Sequence, residues 1–297
     1  MKNTKVFLKP ETLSRLSNLE IRARLVVEGF ITGLHKSPYH GFSVEFAEHR
    51  QYMPGDEIKH IDWKVLGKTD RYYVKQYEEE TNLKSYILLD VSGSMLYGSG
   101  KVTKIEYASY LAASLTYLML KQRDSVGLAL FSDKILKYVP PRSVQTYLIH
   151  ILREIENIEP QGKTNVSPAF HLLAEKIKRR GLVIIISDLF DVPDKIVSGL
   201  KHFRHKKHEV LLFHILDPYE VSFAFNKESV FLDIETGEEI NTLPWHIRRD
   251  YRRQVKDMLY FYQKFCRENR IDYVLMNTET ELDKALSEYL IKRKRLY

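Results

Sequence analysis

The chain has 297 residues, a net charge of +7 and a single cysteine, Cys266. Its 44% hydrophobic and 29% charged residues are typical of a globular protein and exclude a mostly disordered chain. One cysteine excludes an intramolecular disulfide and a cysteine-based zinc finger, whereas the positive charge raises nucleic acid or an anionic membrane as partners.

The N-terminal part of the chain, residues 1–83, differs in pattern from residues 84–297. Apolar side chains at helical spacing predict a helix within residues 11–33. Residues 37–83 are rich in Tyr, Phe, Val and turn residues, and segments 44–46 and 72–77 predict short strands. We therefore expect residues 1–83 to form a helix followed by a β-rich block.

From residue 84 onward, short apolar strands alternate with amphipathic helices. The predicted strands are 85–90, 126–131, 182–187, 210–216 and 273–276, and the predicted helices are 103–121, 143–156, 165–179, 192–203, 241–270 and 279–294. Most of these strands are continuous apolar runs, which is typical of strands covered on both faces. Residues 84–297 are therefore predicted to form one doubly wound α/β domain with a mostly parallel sheet.

No segment has the pattern of a secretory signal or a membrane span. The basic start at Met1 is not followed by an apolar segment of the kind that signal peptides carry. The best uncharged apolar stretch runs from Tyr107 to Leu120, which is shorter than the ~20 residues that a bilayer requires. The cytoplasm is therefore the expected compartment.

Polar side chains follow the apolar strands where each strand ends. Asp90, Ser92 and Ser94 follow the first strand of the α/β part, Asp188 follows strand 182–187, and Thr164 lies between two helices. Ligands of open parallel sheets bind beyond the carboxyl ends of the strands, so we expect these side chains to meet there. A set made only of oxygen donors suits Mg²⁺, with Mn²⁺ or Ca²⁺ as alternatives, and disfavours zinc or copper.

The pattern Asp-x-Ser-x-Ser at residues 90–94, with Thr164 and Asp188 downstream, resembles the metal-ion-dependent adhesion site of von Willebrand factor type A domains. The resemblance implies that Ser92, Ser94 and Thr164 contact Mg²⁺ directly, while Asp90 and Asp188 act through hydrogen bonds or water. It also implies that an Asp or Glu of a partner protein completes the metal shell.

The N-terminal block resembles a bacterial family, domain of unknown function 58, whose members join such a block to a von Willebrand factor type A domain. The segments that carry this resemblance are 41–46, 50–52, 54–56 and 61–63. The family resemblance implies a non-enzymatic adaptor or partner of a MoxR-type AAA+ ATPase in protein maturation or complex assembly. The residues Arg50, Asp56, Asp62 and Trp63 fit either a partner surface or a buried, salt-bridged joint.

Simpler structural roles compete with metal binding at several of these positions. The segment 90–94 also fits a polar turn, and Thr164 also fits a helix cap. Asp191 is predicted to cap the helix at 192–203 in preference to binding metal.

Two other functions compete with the protein-binding module. A metal-dependent hydrolase such as a phosphoesterase is compatible with acids at strand ends, but the sequence places no general base near the metal. A nucleic-acid binder is suggested by the net charge alone, and no nucleic-acid-binding motif supports it.

The positive charge is concentrated in one region. Residues 84–217 carry 19 basic and 13 acidic residues, a net charge of +6. The basic runs at 176–180 and 201–207 end two crossover helices, where cations complement the helix dipole. We therefore expect the basic patch at the sheet edge opposite Asp90 and Asp188.

Overall fold

The structure is a computed structural model that describes residues 18–34, 49–52, 66–67, 72–75, 83–160, 166–232 and 239–295. The helices are α1 (Leu19–Leu34), α2 (Lys104–Lys121), α3 (Tyr147–Glu156), α4 (Val166–Lys176), α5 (Pro193–His205), α6 (Pro218–Ser222), α7 (Pro244–Glu268) and α8 (Asp283–Arg295). The strands are β1 (His49–Gln51), β2 (Tyr73–Lys75), β3 (Lys84–Asp90), β4 (Ser125–Phe131), β5 (Ile135–Arg142), β6 (Leu182–Ser187), β7 (Glu209–Leu216), β8 (Ser229–Leu232), β9 (Glu239–Thr242) and β10 (Asp272–Asn277).

A six-stranded sheet with the order β10-β7-β6-β3-β4-β5 forms the centre of the fold. All neighbouring strands are parallel except β4 and β5, which are antiparallel. Strands β3, β4, β6 and β7 are buried along nearly their whole length, as their continuous apolar runs predict. The predicted α/β fold with a mostly parallel sheet is confirmed.

Helices cover both faces of this sheet and form two hydrophobic cores. One core joins α1, α2, α3 and α8 to the sheet, with Val26 and Leu111 among its fully buried members. The other core joins α4, α5 and α7, where Phe170, Phe203 and the predicted helical Cys266 are buried. Burial of large apolar side chains from both layers is the main stabilising contribution to the domain.

The N-terminal part is described in pieces. Helix α1 confirms the predicted helix from Leu19 onward, and β1 pairs with β2 in an antiparallel ladder. The predicted strand 44–46 lies outside the described residues, as do Asp56, Asp62 and Trp63. The division into blocks 1–83 and 84–297 stays a prediction, although α1 shares a core with α2.

The structure corrects the predicted elements at the edge of the sheet and before α7. Strand β5 was not predicted, and it tolerates Pro140 and Pro141 because an edge strand has one side without ladder hydrogen bonds. The helix predicted over 241–270 begins only at Pro244, because the residues before it pair with β8 in the antiparallel hairpin β8–β9.

Candidate metal site at the carboxyl edge of the sheet

The two predicted aspartates lie side by side at the carboxyl edge of the sheet. Asp90 is the last residue of β3, and Asp188 directly follows β6. These strands are neighbours, with Leu89 opposite Ile186. Both carboxylates are fully buried, so this edge places two acids next to each other away from water.

Hydrogen bonds hold Asp90 in one orientation. The backbone N–H of Ser92 donates to Oδ1 of Asp90 at 2.9 Å, and the hydroxyl of Ser187 donates to Oδ2 at 2.6 Å. The Oγ atoms of Ser92 and Ser94 are 3.1 Å apart. Segment 90–94 is thus a polar turn, as the structural alternative predicts, and the same turn brings two hydroxyls together beside a carboxylate.

The electrostatics of Asp90 favour a cation nearby. Burial and, to a lesser extent, the charge of Asp188 raise the pKa of Asp90 to about 7, while hydrogen bonds from Ser187 and Ser92 partly oppose both effects. A divalent cation would relieve the repulsion between the two carboxylates. The oxygen donors present therefore fit a hard cation such as Mg²⁺.

Across the described ranges, no group of three or more His, Cys, Asp or Glu side chains is placed to hold a metal ion. Any metal at this edge therefore depends on hydroxyl ligands as well as acids. The third predicted hydroxyl, that of Thr164, lies in segment 161–165, outside the described residues.

The predicted capping role of Asp191 is wrong. Val192 occupies the N-cap position of α5, and no side chain caps that helix. Oδ1 of Asp191 instead accepts from the backbone N–H of Val192 at 2.6 Å. Asp191 lies one residue too early in the chain to reach the N–H groups of the first helical turn.

Sequence analysis assigned no role to Lys104, which the structure places at the site. Nζ of Lys104 lies 2.7 Å from Oδ2 of Asp188 and 2.6 Å from Oε1 of Glu220, and its side chain is fully buried. Nζ also lies 4.6 Å from the centre of the Phe190 ring. One available signal was a lysine in the first turn of a largely apolar helix.

The buried His214 of β7 supports the backbone of Asp188. Its Nε2–H donates to the Asp188 carbonyl oxygen at 2.8 Å, and its Nδ1 accepts from the Tyr273 hydroxyl at 2.8 Å. Burial lowers the pKa of His214 to about 4, so the ring is neutral at physiological pH. A neutral ring satisfies both hydrogen bonds, which fixes the end of β6 relative to β7 and β10.

The basic runs lie at the opposite edge, as predicted. Arg204 of α5 pairs with Glu209 at the start of β7, and Lys206 pairs with Glu175 of α4. His208 is also at this edge, but it is buried, and its Nε2 lies 3.2 Å from the Ile177 carbonyl oxygen.

Comparison with known proteins identifies the family. The model of the family described as "Protein of unknown function DUF58" matches residues 48–259. The chain belongs to the DUF58 family. One relative of this DUF58 protein is Mb1516, an uncharacterized protein of Mycobacterium bovis. It is 28% identical to this chain over 232 residues, which cover 77% of this chain and 72% of the relative.

Two solved structures share the fold of this DUF58 protein. The conserved hypothetical protein BatB from Bacteroides thetaiotaomicron aligns with a TM-score of 0.51 and 19% identity, over 72% of this chain and 99% of BatB. An aerotolerance-related membrane protein from Bacteroides fragilis aligns with a TM-score of 0.50 and 19% identity, over 71% and 99% of the chains. Within the described part of this chain, no helix is long and apolar enough to cross a membrane.

Proposed function

We propose that this DUF58 protein is a non-enzymatic, Mg²⁺-dependent protein-binding module. The observation that carries the proposal is the pair of adjacent buried carboxylates, Asp90 and Asp188, beside the converging hydroxyls of Ser92 and Ser94. Ser92, Ser94 and Thr164 would hold the metal directly, with Asp90 and Asp188 in support. The bound Mg²⁺ would supply a positive centre that accepts a carboxylate of the partner.

Exposed apolar side chains around the site support a protein partner over a small molecule. Leu96 follows β3, Val192 follows β6, and Tyr219 and Val221 follow β7, and all four are exposed. Because β3, β6 and β7 are parallel neighbours, these side chains lie at the same edge as the acids. An acidic residue flanked by apolar side chains matches this surface.

A hydrolytic role receives less support. Of the described basic side chains at this edge, His214 is neutral and engaged through both ring nitrogens, and Lys104 is paired with two carboxylates. Neither is placed as a general base for an attacking water.

In keeping with DUF58 membership, we also propose that the protein is an adaptor or partner of a MoxR-type AAA+ ATPase. The cytoplasm stays the predicted compartment.

Calorimetric titration with Mg²⁺ tests the metal site. We expect wild type and Asp191→Ala to bind Mg²⁺, and Asp90→Ala to lose binding, because Asp90 orients the Ser92 turn and lies beside Asp188. Equal Mg²⁺ affinity in Asp90→Ala and wild type would contradict the proposed site.

A capture experiment tests the partner. The immobilised chain should retain a purified MoxR-type ATPase in Mg²⁺ and release it in EDTA, and Asp90→Ala should not retain it. Equal retention of the ATPase in Mg²⁺, in EDTA and by Asp90→Ala would refute metal-dependent binding.

A further inference from the structure

Lys104 is an unusual side chain for the place it occupies. It follows Thr103, whose capping box with Glu106 begins α2, and it points into the protein interior rather than into solvent. Lysine is almost never fully buried unless it is paired. Here the ammonium is held between Asp188 and Glu220, at 2.7 and 2.6 Å.

The ammonium is the counter-charge of an acidic cluster. Burial disfavours the charge of Lys104, but the carboxylates of Asp188 and Glu220 outweigh burial and raise its pKa. Burial raises the pKa of Glu220 even though Lys104 opposes that shift. Lys104 is thus shared by two carboxylates, and Asp90 lies beside one of them, so these three acids carry more negative charge than Lys104 balances.

Lys104 also links the candidate metal site to a neighbouring helix. Glu220 lies in the short helix α6, where its Oε2 accepts from the N–H of the N-cap residue Asp217. The carboxylate of Asp217 in turn accepts from the backbone N–H and the hydroxyl of Ser99. Helix α6 carries the exposed Tyr219 and Val221, so the ion pair connects Asp188 to the apolar surface around the site.

We infer that Lys104 is a resident counter-cation of this site, which neutralises Asp188 in the metal-free chain and weakens the binding of a divalent cation there. Lys104 and the metal are drawn to the same carboxylate and repel each other. The ammonium thereby stabilises the metal-free fold and sets a limit on metal affinity. This inference rests on the proposed Mg²⁺ site at Asp90 and Asp188.

Thermal unfolding and calorimetry with Mg²⁺ alone test this role in the full chain. We expect Lys104→Met to melt at lower temperature than wild type in EDTA, because Asp188 and Glu220 lose their counter-ion. We also expect its melting temperature to rise more with Mg²⁺, and its Mg²⁺ affinity to increase about tenfold or more. Lys121→Met, at the exposed end of the same helix, should behave as wild type.

Glu220→Gln provides an opposite change at the same contact. With Glu220 neutral, the Lys104 charge is balanced by Asp188 alone and opposes the metal more strongly, so Mg²⁺ affinity should fall. A substitution that merely loosens the region would move both variants in the same direction. Opposite changes in Lys104→Met and Glu220→Gln therefore support a counter-cation.

The outcomes separate this inference from the proposed function. If wild type binds Mg²⁺ and Lys104→Met binds it equally or less tightly, Lys104 is not a competing counter-cation, while the metal site stands. If neither protein binds Mg²⁺, both ideas are wrong. If Lys104→Met folds with Mg²⁺ but not in EDTA, the inference is supported. If Lys104→Met folds neither with Mg²⁺ nor in EDTA, the Glu220→Gln variant decides, and an unchanged Mg²⁺ affinity in that variant overturns the inference.

Discussion

The two edges of the sheet handle charge in different ways. At the amino edge, Glu209 pairs with Arg204 and Lys292, and the buried Asp124 pairs with Arg293. At the carboxyl edge, the buried Lys104 pairs with Asp188 and Glu220, and the buried Asp90 lies beside Asp188.

The difference separates a structural edge from the edge that carries the proposed site. Balanced pairs at the amino edge join α5 and α8 to the sheet, so these basic side chains have a structural role. Excess buried negative charge at the carboxyl edge costs stability, and such a cost is common at sites that bind a ligand. The comparison predicts that removing one member of a balanced pair should destabilise the amino edge, whereas removing an excess carboxylate charge should stabilise the carboxyl edge.

The largest effect is expected at the amino edge. Arg293→Met leaves Asp124 buried without its guanidinium partner, which donates from Nε to Oδ2 at 2.7 Å. We expect the free energy of unfolding to fall by about 3 kcal/mol, measured by urea denaturation. Lys294→Met, at the exposed neighbouring position, should change it little, and equal small losses in both variants would show that the pair does not anchor α8.

A smaller effect of opposite sign is expected at the carboxyl edge. Asp90→Asn should stabilise the protein in EDTA by about 1–2 kcal/mol at a pH above the Asp90 pKa of about 7, because it removes a buried charge beside Asp188. The same variant should lose Mg²⁺ binding. Asp133→Asn, at an exposed position after β4, is the control and should change the stability little. Lower stability of Asp90→Asn than of wild type in EDTA would mean that the Asp90 charge does not destabilise the fold.

The smallest effect is a pH dependence at the amino edge. Burial lowers the pKa of His208, so the unfolded chain binds more protons than the folded chain below the usual histidine pKa. Stability should therefore fall as pH decreases from that range toward the folded-state pKa. As pH falls, the melting temperature of His208→Gln should decline less steeply than that of wild type, whereas the exposed His205→Gln should decline as wild type does. Identical pH profiles for His208→Gln and wild type would exclude the contribution of His208.

Elements with strong local patterns were predicted well, and those that depend on neighbours were not. The strands β3, β6 and β7 and the helix α2 lie within a few residues of their predicted bounds, because continuous apolar runs and a capping box are local signals. Strand β5 has little such signal, since it is an edge strand whose side chains are mostly half-buried or exposed. The hairpin β8–β9 was missed for a similar reason, as each of its strands has only four residues.

Candidate site residues were predictable where they follow strands. Asp90 and Asp188 meet because β3 and β6 are adjacent parallel strands, and the order of strand and acid along the chain is sufficient to expect this. The contributions of Ser187 and His214 depend on side-chain directions within the sheet. Thr164 stays a prediction.

The sequence by itself determined an α/β fold, a set of oxygen donors at the ends of strands, and basic residues at the opposite edge. Only the tertiary structure decided that Lys104 faces inward and pairs with Asp188, 84 positions along the chain, and with Glu220, 116 positions along the chain. Local rules place a lysine in water, because burial of its charge is costly. That cost is offset only where the folded chain supplies carboxylates within hydrogen-bond distance, and no local pattern specifies such an encounter.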